Sequence, residues 1–236
     1  MTAASTPRRI TGPLKTWYDL HEALQHEATA LADQGARLVA AGLDAFAQRF
    51  AHLDAELRTH SRVEDGIMFP AIEAKGGNVA AKLFSEHRDE ALLTYGIGAS
   101  VMSARATGDA AAIARLSSSS AALRDSLVAH LRLEEDEVLG HVDDLFSPEE
   151  QAALLREIIA AMPPDPDLQP WIAGALTPEH LEARLRNMAG SLDRAALVGV
   201  LTQIHDGVDA SVWAEIEART PELAALVPGD RAGDAG

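Results

Sequence analysis

Cysteine is absent from the 236-residue chain. That removes disulfides, iron–sulfur clusters, thiolate zinc sites, c-type haem attachment and cysteine nucleophiles together. Aromatic residues are scarce at 4%, so Ala, Leu, Ile and Val must build the core, and side chains of that kind favour packed helices over sheets. Basic residues are outnumbered 20 to 36 by acidic ones, for a formal net charge of −16. A surface that acidic repels phosphate backbones and anionic lipid, which argues against nucleic-acid and membrane partners. No stretch is long and uncharged enough to span a bilayer. Arg8 and Arg9 are followed by no apolar run, so no signal peptide is predicted. The expectation is a soluble cytoplasmic protein whose natural partners are cations.

Residues 1–12 and 223–236, rich in Pro, Gly, Thr, Asp and Ala, read as flexible ends. Between them helix follows helix. Leu20, Leu24, Leu31, Leu38 and Val39 place a first helix over Leu14 to about Gly42. A second runs from about Asp44 to Lys75 and is stopped by Gly76-Gly77-Asn78. A third runs from near Val79 to about Ala106, before the turn Thr107-Gly108-Asp109. The fourth extends from about Ala110 to Val142, with Ser117 to Ser120 on an exposed face. Four long helices with short turns predict an all-α, up-down-up-down four-helix bundle over residues 13–145.

Residues 146–222 are expected to form a C-terminal helical extension. Ser147-Pro148-Glu149-Glu150 has the cap, N1 proline and capping-box carboxylate of a fifth helix, which ends before Pro163-Pro164. Thr177-Pro178-Glu179 opens another, and Asp193 to about Arg219 reads as one more.

Four of the nine histidines fall on successive bundle helices: His21, His60, His87 and His130. Three of them have a carboxylate one turn on. His60 and Glu64 are spaced i, i+4, as are His130 and Glu134, while His87 and Glu90 are spaced i, i+3. At about 100° per residue each pair shares one helix face. One His from every helix, with three Glu beside them, predicts a metal site in the bundle interior. Seven donors exceed what one zinc takes and suit two octahedral ions bridged by carboxylates. Asp65 and Glu135 stand at i+5, roughly 140° from His60 and His130, and are alternatives only. His26, His52, His141, His180 and His205 are read as ordinary surface or hydrogen-bonded histidines. No His has a Glu three residues before it, which disfavours ferritin-like di-iron sites, and there is no His-Glu-x-x-His motif.

The order His, His-x-x-x-Glu, His, His-x-x-x-Glu resembles the hemerythrin, or HHE cation-binding, family. The nearest variety is that of the hemerythrin domains of plant iron-regulating ubiquitin ligases and the human F-box iron sensor. Leu20 to Leu24, His60 to Pro70, Glu86 to Glu90 and His130 to Val138 carry the match, which continues through Phe146 to Gln151, Ala161 to Pro163 and Pro170-Trp171. The resemblance implies a non-haem di-iron centre, oxo- or hydroxo-bridged, held by His21, His60, His87, His130 and Glu90, with Glu64 and Glu134 bridging. Oxygen-carrying members have His-x-x-x-His on the third helix; here Ala91 stands at that i+4 position and Glu90 looks like the substitute.

Carboxylates are harder, anionic donors that favour higher oxidation states of iron. The implied function is reaction with dioxygen, peroxide or nitric oxide, in oxygen or iron sensing or redox response, by a monomer or homodimer. The alternative is a di-iron oxidase, oxygenase or peroxide-consuming enzyme. A substrate-sized cavity beside the centre favours the enzyme and a closed centre favours sensing. Trp17, Tyr18, Phe69 and Tyr95 either approach the centre or pack the core.

Overall fold

The computed structural model describes residues 9–79 and 81–228. Among them there is no strand, and no helix is long and apolar enough to cross a membrane. The chain divides into two compact units, Met1–Pro163 and Pro164–Gly236.

In the first unit, α1 (Thr16–Ala36) follows a 3-10 turn at Pro13–Lys15. Next come α2 (Leu43–Val63), a π-helical stretch at Glu64–Met68 and α3 (Phe69–Ala74). They are followed by α4 (Ala81–Thr107), α5 (Ala110–Glu137) and the short α6 (Val142–Leu145). Contacts run from α1 to α2, α2 to α4, α4 to α5 and α5 back to α1, so four long helices enclose one core. Leu24, Leu31, Phe46, Leu53, Leu83, Ile97, Leu116, Leu123 and Leu127 are buried there at helical spacing.

Several boundaries differ from expectation for local reasons. The first helix ends at Ala36 rather than near Gly42, because Val39 is extended and a 3-10 turn at Ala40–Gly42 intervenes. The expected second helix is broken into α2, the π stretch and α3. Pro70 lacks the N–H that would bond the Gly66 carbonyl, and the wider turn accommodates the loss. The glycine turns fall as expected: Gly76 and Gly108 both have positive φ, at 84° and 63°. The serine tract is helical, but Ser120 is fully buried rather than exposed, and its hydroxyl donates to the Ser117 carbonyl.

The helix α7 (Pro148–Ala161) starts with the expected capping box between Ser147 and Glu150. It packs on the Pro13–Lys15 turn and on the π stretch. Gln151 is buried, its amide donating to Asp143 at 2.9 Å, and Lys75 pairs with Glu150. The expected extension boundary near residue 145 therefore lies inside the first unit, and the break comes at Pro163-Pro164.

The second unit contains α8 (Leu168–Ala175), α9 (Pro178–Ser191), α10 (Arg194–Gly207), α11 (Ala210–Arg219) and α12 (Pro221–Ala224). Thr177 caps α9 as expected. The single helix expected from Asp193 to Arg219 is two, because Val208 is extended and ends α10. Ile172, Leu181, Leu185, Leu201, Ile204 and Ile216 form its core. Of the expected flexible ends, residues 1–8 and 229–236 lie outside the described residues. Ile10 and Leu223 are buried.

Candidate metal centre

Each of the four enclosing helices turns one histidine inward: His21 from α1, His60 from α2, His87 from α4 and His130 from α5. The π stretch brings in Glu64, α5 brings Glu134 and α4 brings Glu90. All seven residues are between 0 and 5% exposed. Six of them converge in two groups whose donor atoms lie within 4.8 Å of one another: His21, His60, Glu64 and Glu134 in one, Glu64, His87 and His130 in the other. Glu64 belongs to both. Its Oε2 lies 3.2 Å from His60 Nε2 and 3.2 Å from His87 Nε2. His21 Nε2 stands 3.5 Å from Glu134 Oε2. Glu90 is buried on the same face of α4 as His87 but belongs to neither group. None of the other five histidines does either.

The far ends of three imidazoles are tied to carboxylates. His21 Nδ1 lies 3.1 Å from Glu135 Oε1, His87 Nδ1 2.8 Å from Asp65 Oδ1, and His130 Nδ1 3.1 Å from Glu86 Oε2. A carboxylate accepts, so each Nδ1 carries a proton, and in the neutral ring Nε2 then presents a lone pair to the interior. The His87 and His130 Nε2 atoms are 3.1 Å apart. With both Nδ1 atoms protonated, those two Nε2 atoms either share one proton, carried by His87 with its raised basicity, or take a cation between them.

Unmet polar atoms make the same case. His21 Nε2, both ring nitrogens of His60, Glu64 Oε2, Glu90 Oε1 and both carboxylate oxygens of Glu134 are buried without a hydrogen-bond partner. Native interiors leave few such atoms. Clustered, inward and made of imidazole and carboxylate, these fit metal cations; nitrogen and oxygen donors without thiolate suit iron, manganese or zinc.

The electrostatics are divided in the same way. Burial lowers the basicity of His21, but the charges of Glu134 and Glu64 and the bond to Glu135 push it up to about 10. Burial drives His60 down to about 3. His87 rises to about 9 despite burial, through Glu64 and Asp65. Burial and the neighbouring Glu64 charge hold Glu134 well above the usual carboxylate range, whereas the surrounding histidines hold Glu64 well below it against burial. Protons alone settle this set by leaving some groups charged and others neutral in one dry space. Divalent cations would let all the carboxylates ionise.

Aromatic side chains frame the donors. Trp17 stacks on His60 at 5.5 Å between centroids, and Phe69 lies parallel to His87 at 5.9 Å. Tyr18 is buried near Ile10, while Tyr95 is 73% exposed and away from the centre. The outer partners Glu86, Asp65 and Glu135 were not foreseen in that role. Asp65 and Glu135 do face away from their own helix's histidine, and each meets the histidine of another helix.

Zinc finger protein BRUTUS of Arabidopsis thaliana is 26% identical over 187 residues, covering 74% of this chain and 14% of the relative. The chain thus spans about a seventh of the length of that curated protein. No solved structure matches it. Residues 12–142, which contain every residue of the two donor groups, match the model of the hemerythrin HHE cation binding domain. The chain belongs to the hemerythrin HHE cation-binding family.

Proposed function

We propose that the protein holds two iron ions in this centre and uses them to bind or react with dioxygen, peroxide or nitric oxide, in oxygen or iron sensing or a redox response. The observation that carries the reading is the pair of His87 and His130 Nε2 atoms 3.1 Å apart, with both Nδ1 atoms tied to carboxylates. His21, His60, Glu64 and Glu134 would hold one ion, and Glu64, His87 and His130 the other, with Glu64 common to both. Bound iron would supply an open coordination position and a redox couple for a small diatomic ligand or peroxide.

The residues of the chain do the rest. Asp65, Glu86 and Glu135 orient three imidazoles and raise their basicity as donors. Trp17, Phe69 and the surrounding leucines exclude water, which strengthens every electrostatic contact inside.

A second reading has its own support. A cavity of about 240 Å³ reaches His87 and Glu90 between α2 and α4. A cavity that size admits a small organic molecule, which favours an oxidase, oxygenase or peroxide-consuming enzyme.

Anaerobic loading with ferrous iron, metal counting, and optical spectra before and after air test both readings. Two irons per chain with a reversible oxygen-dependent band support binding or sensing. Two irons with rapid conversion to a stable ferric form support the enzyme. Less than one tightly bound metal defeats both.

A further inference from the structure

The donors of the centre are at most 5% exposed, so an ion needs a way in. We propose that the groove between α2 and α4 is an entry port for divalent cations, in which Asp54 and Glu90 hand the ion from solvent to His87. The inference rests on the metal-centre reading above and adds a second, transient cation site to it.

The groove has a volume of about 240 Å³ and is lined by Asp54 and Arg58 from α2 and by His87, Arg88, Glu90 and Ala91 from α4. Exposure falls along it: the side chain of Arg58 is 64% exposed and that of Asp54 22%, while Glu90 is 3% exposed. Two carboxylate oxygens in it are buried and unpartnered, Asp54 Oδ1 and Glu90 Oε1. Arg58 Nε bonds the other oxygen of Asp54 at 2.9 Å, fixing that carboxylate and leaving Oδ1 free to accept. A buried acceptor without a donor is costly, and the cost recurs here at two levels of one groove.

Arg58 and Arg88 also line the groove, so a cation is drawn there by direct bonds to the two unpartnered oxygens rather than by the groove's overall charge. The groove is roomy enough for an ion that keeps part of its hydration shell. Asp54 and Glu90 belong to no group of three or more metal donors. One oxygen at each level gives weak, exchangeable binding, which a route needs in order to release its ion onward. The same placement accounts for Glu90, which is buried beside His87 yet outside both donor groups.

The test uses the full-length, metal-free protein and Co²⁺. Uptake is followed by stopped-flow absorption of the ligand-field bands, and the final metal count by elemental analysis. Glu90→Gln and Asp54→Asn are expected to slow uptake, Glu90→Gln by about tenfold as for loss of an oxygen donor to the passing ion, with the final count equal to wild type. Ala91→Trp, which fills the groove and leaves every carboxylate in place, is expected to slow both uptake and chelator-driven release. Unchanged rates in Asp54→Asn and Ala91→Trp overturn the port, and these two decide if Glu90→Gln does not fold. A Glu90→Gln protein that binds one ion fewer at equilibrium also overturns it, making Glu90 a resident ligand. A wild-type protein that takes up no ion defeats the metal-centre reading and the port with it.

Discussion

Trp17 donates its indole N–H to Glu64 Oε1 at 2.6 Å, and Glu64 is the residue common to both donor groups. The bond fixes one oxygen of that carboxylate and leaves Oε2 facing His60 and His87. Trp17→Phe keeps an aromatic ring against His60 and removes the donor together with part of the indole's buried volume. Loss of a hydrogen bond to a buried charged group is expected to cost the metal-free protein about 1.5–3 kcal/mol, read from urea denaturation. Metal affinity should fall about tenfold in chelator competition, the scale for a lost partner of a ligand. An unchanged affinity would mean that Glu64 needs no help to hold its orientation.

The carboxylates behind the imidazoles should matter almost as much as the donors. Glu86 accepts from His130 Nδ1 and also pairs with Lys82 at 3.2 Å. Glu86→Gln is close in size but removes the charge, and Asp65→Asn does the same behind His87. Each is expected to weaken metal binding by about 10–100-fold. Glu137→Gln, an exposed change on the same helix as His130, serves as the control and should have no effect.

Much of the centre was legible because ligand spacing is a local property of a helix. His60 with Glu64 and His130 with Glu134 share a face by geometry alone, and the structure brings both pairs into one group or its neighbour. Contacts between helices were not legible in the same way. Asp65 meets His87 and Glu135 meets His21, so their apparent misdirection at i+5 is resolved only once the helices are packed. The π stretch was hidden as well, though Pro70 four residues after Gly66 was a readable cause. The place of α7 was missed because its capping box announces where a helix starts and nothing about what it packs on.

Asp143 ties the start of the described chain to α7, accepting from Thr11 N–H at 2.8 Å and from Gln151 at 2.9 Å. Burial is the largest single influence on its carboxyl and raises it, but the bonds from Gln151, Thr11 and the Gly12 backbone together hold it below the ordinary value of 3.8. A carboxyl whose pKa is depressed on folding stabilises the fold fully above its unfolded value and loses that contribution as pH falls through the folded value. The acid limb of stability below about pH 4 should therefore flatten in Asp143→Asn. At neutral pH the variant should lose less than about 1 kcal/mol, because the group is close to solvent. Denaturation midpoints measured from pH 7 to pH 3 give both quantities.

Removing the metal should expose how much of the bundle's stability the centre carries. Without ions, buried carboxylates and imidazoles lie together with unmet oxygens and nitrogens, including both oxygens of Glu134. A ligand that binds only the folded chain adds about 2.7 kcal/mol when its free concentration is a hundred times its dissociation constant. For a chain of this size that corresponds to roughly 5–10 °C in Tm for each ion. Ferrous-loaded protein, held anaerobically, should melt higher than the same sample treated with chelator by at least that amount. His60→Ala should abolish at least the share of one ion, since His60 belongs to the four-residue group. A chelator effect that survives this substitution at full size would place the stabilising ion somewhere other than the centre between α1, α2 and α5.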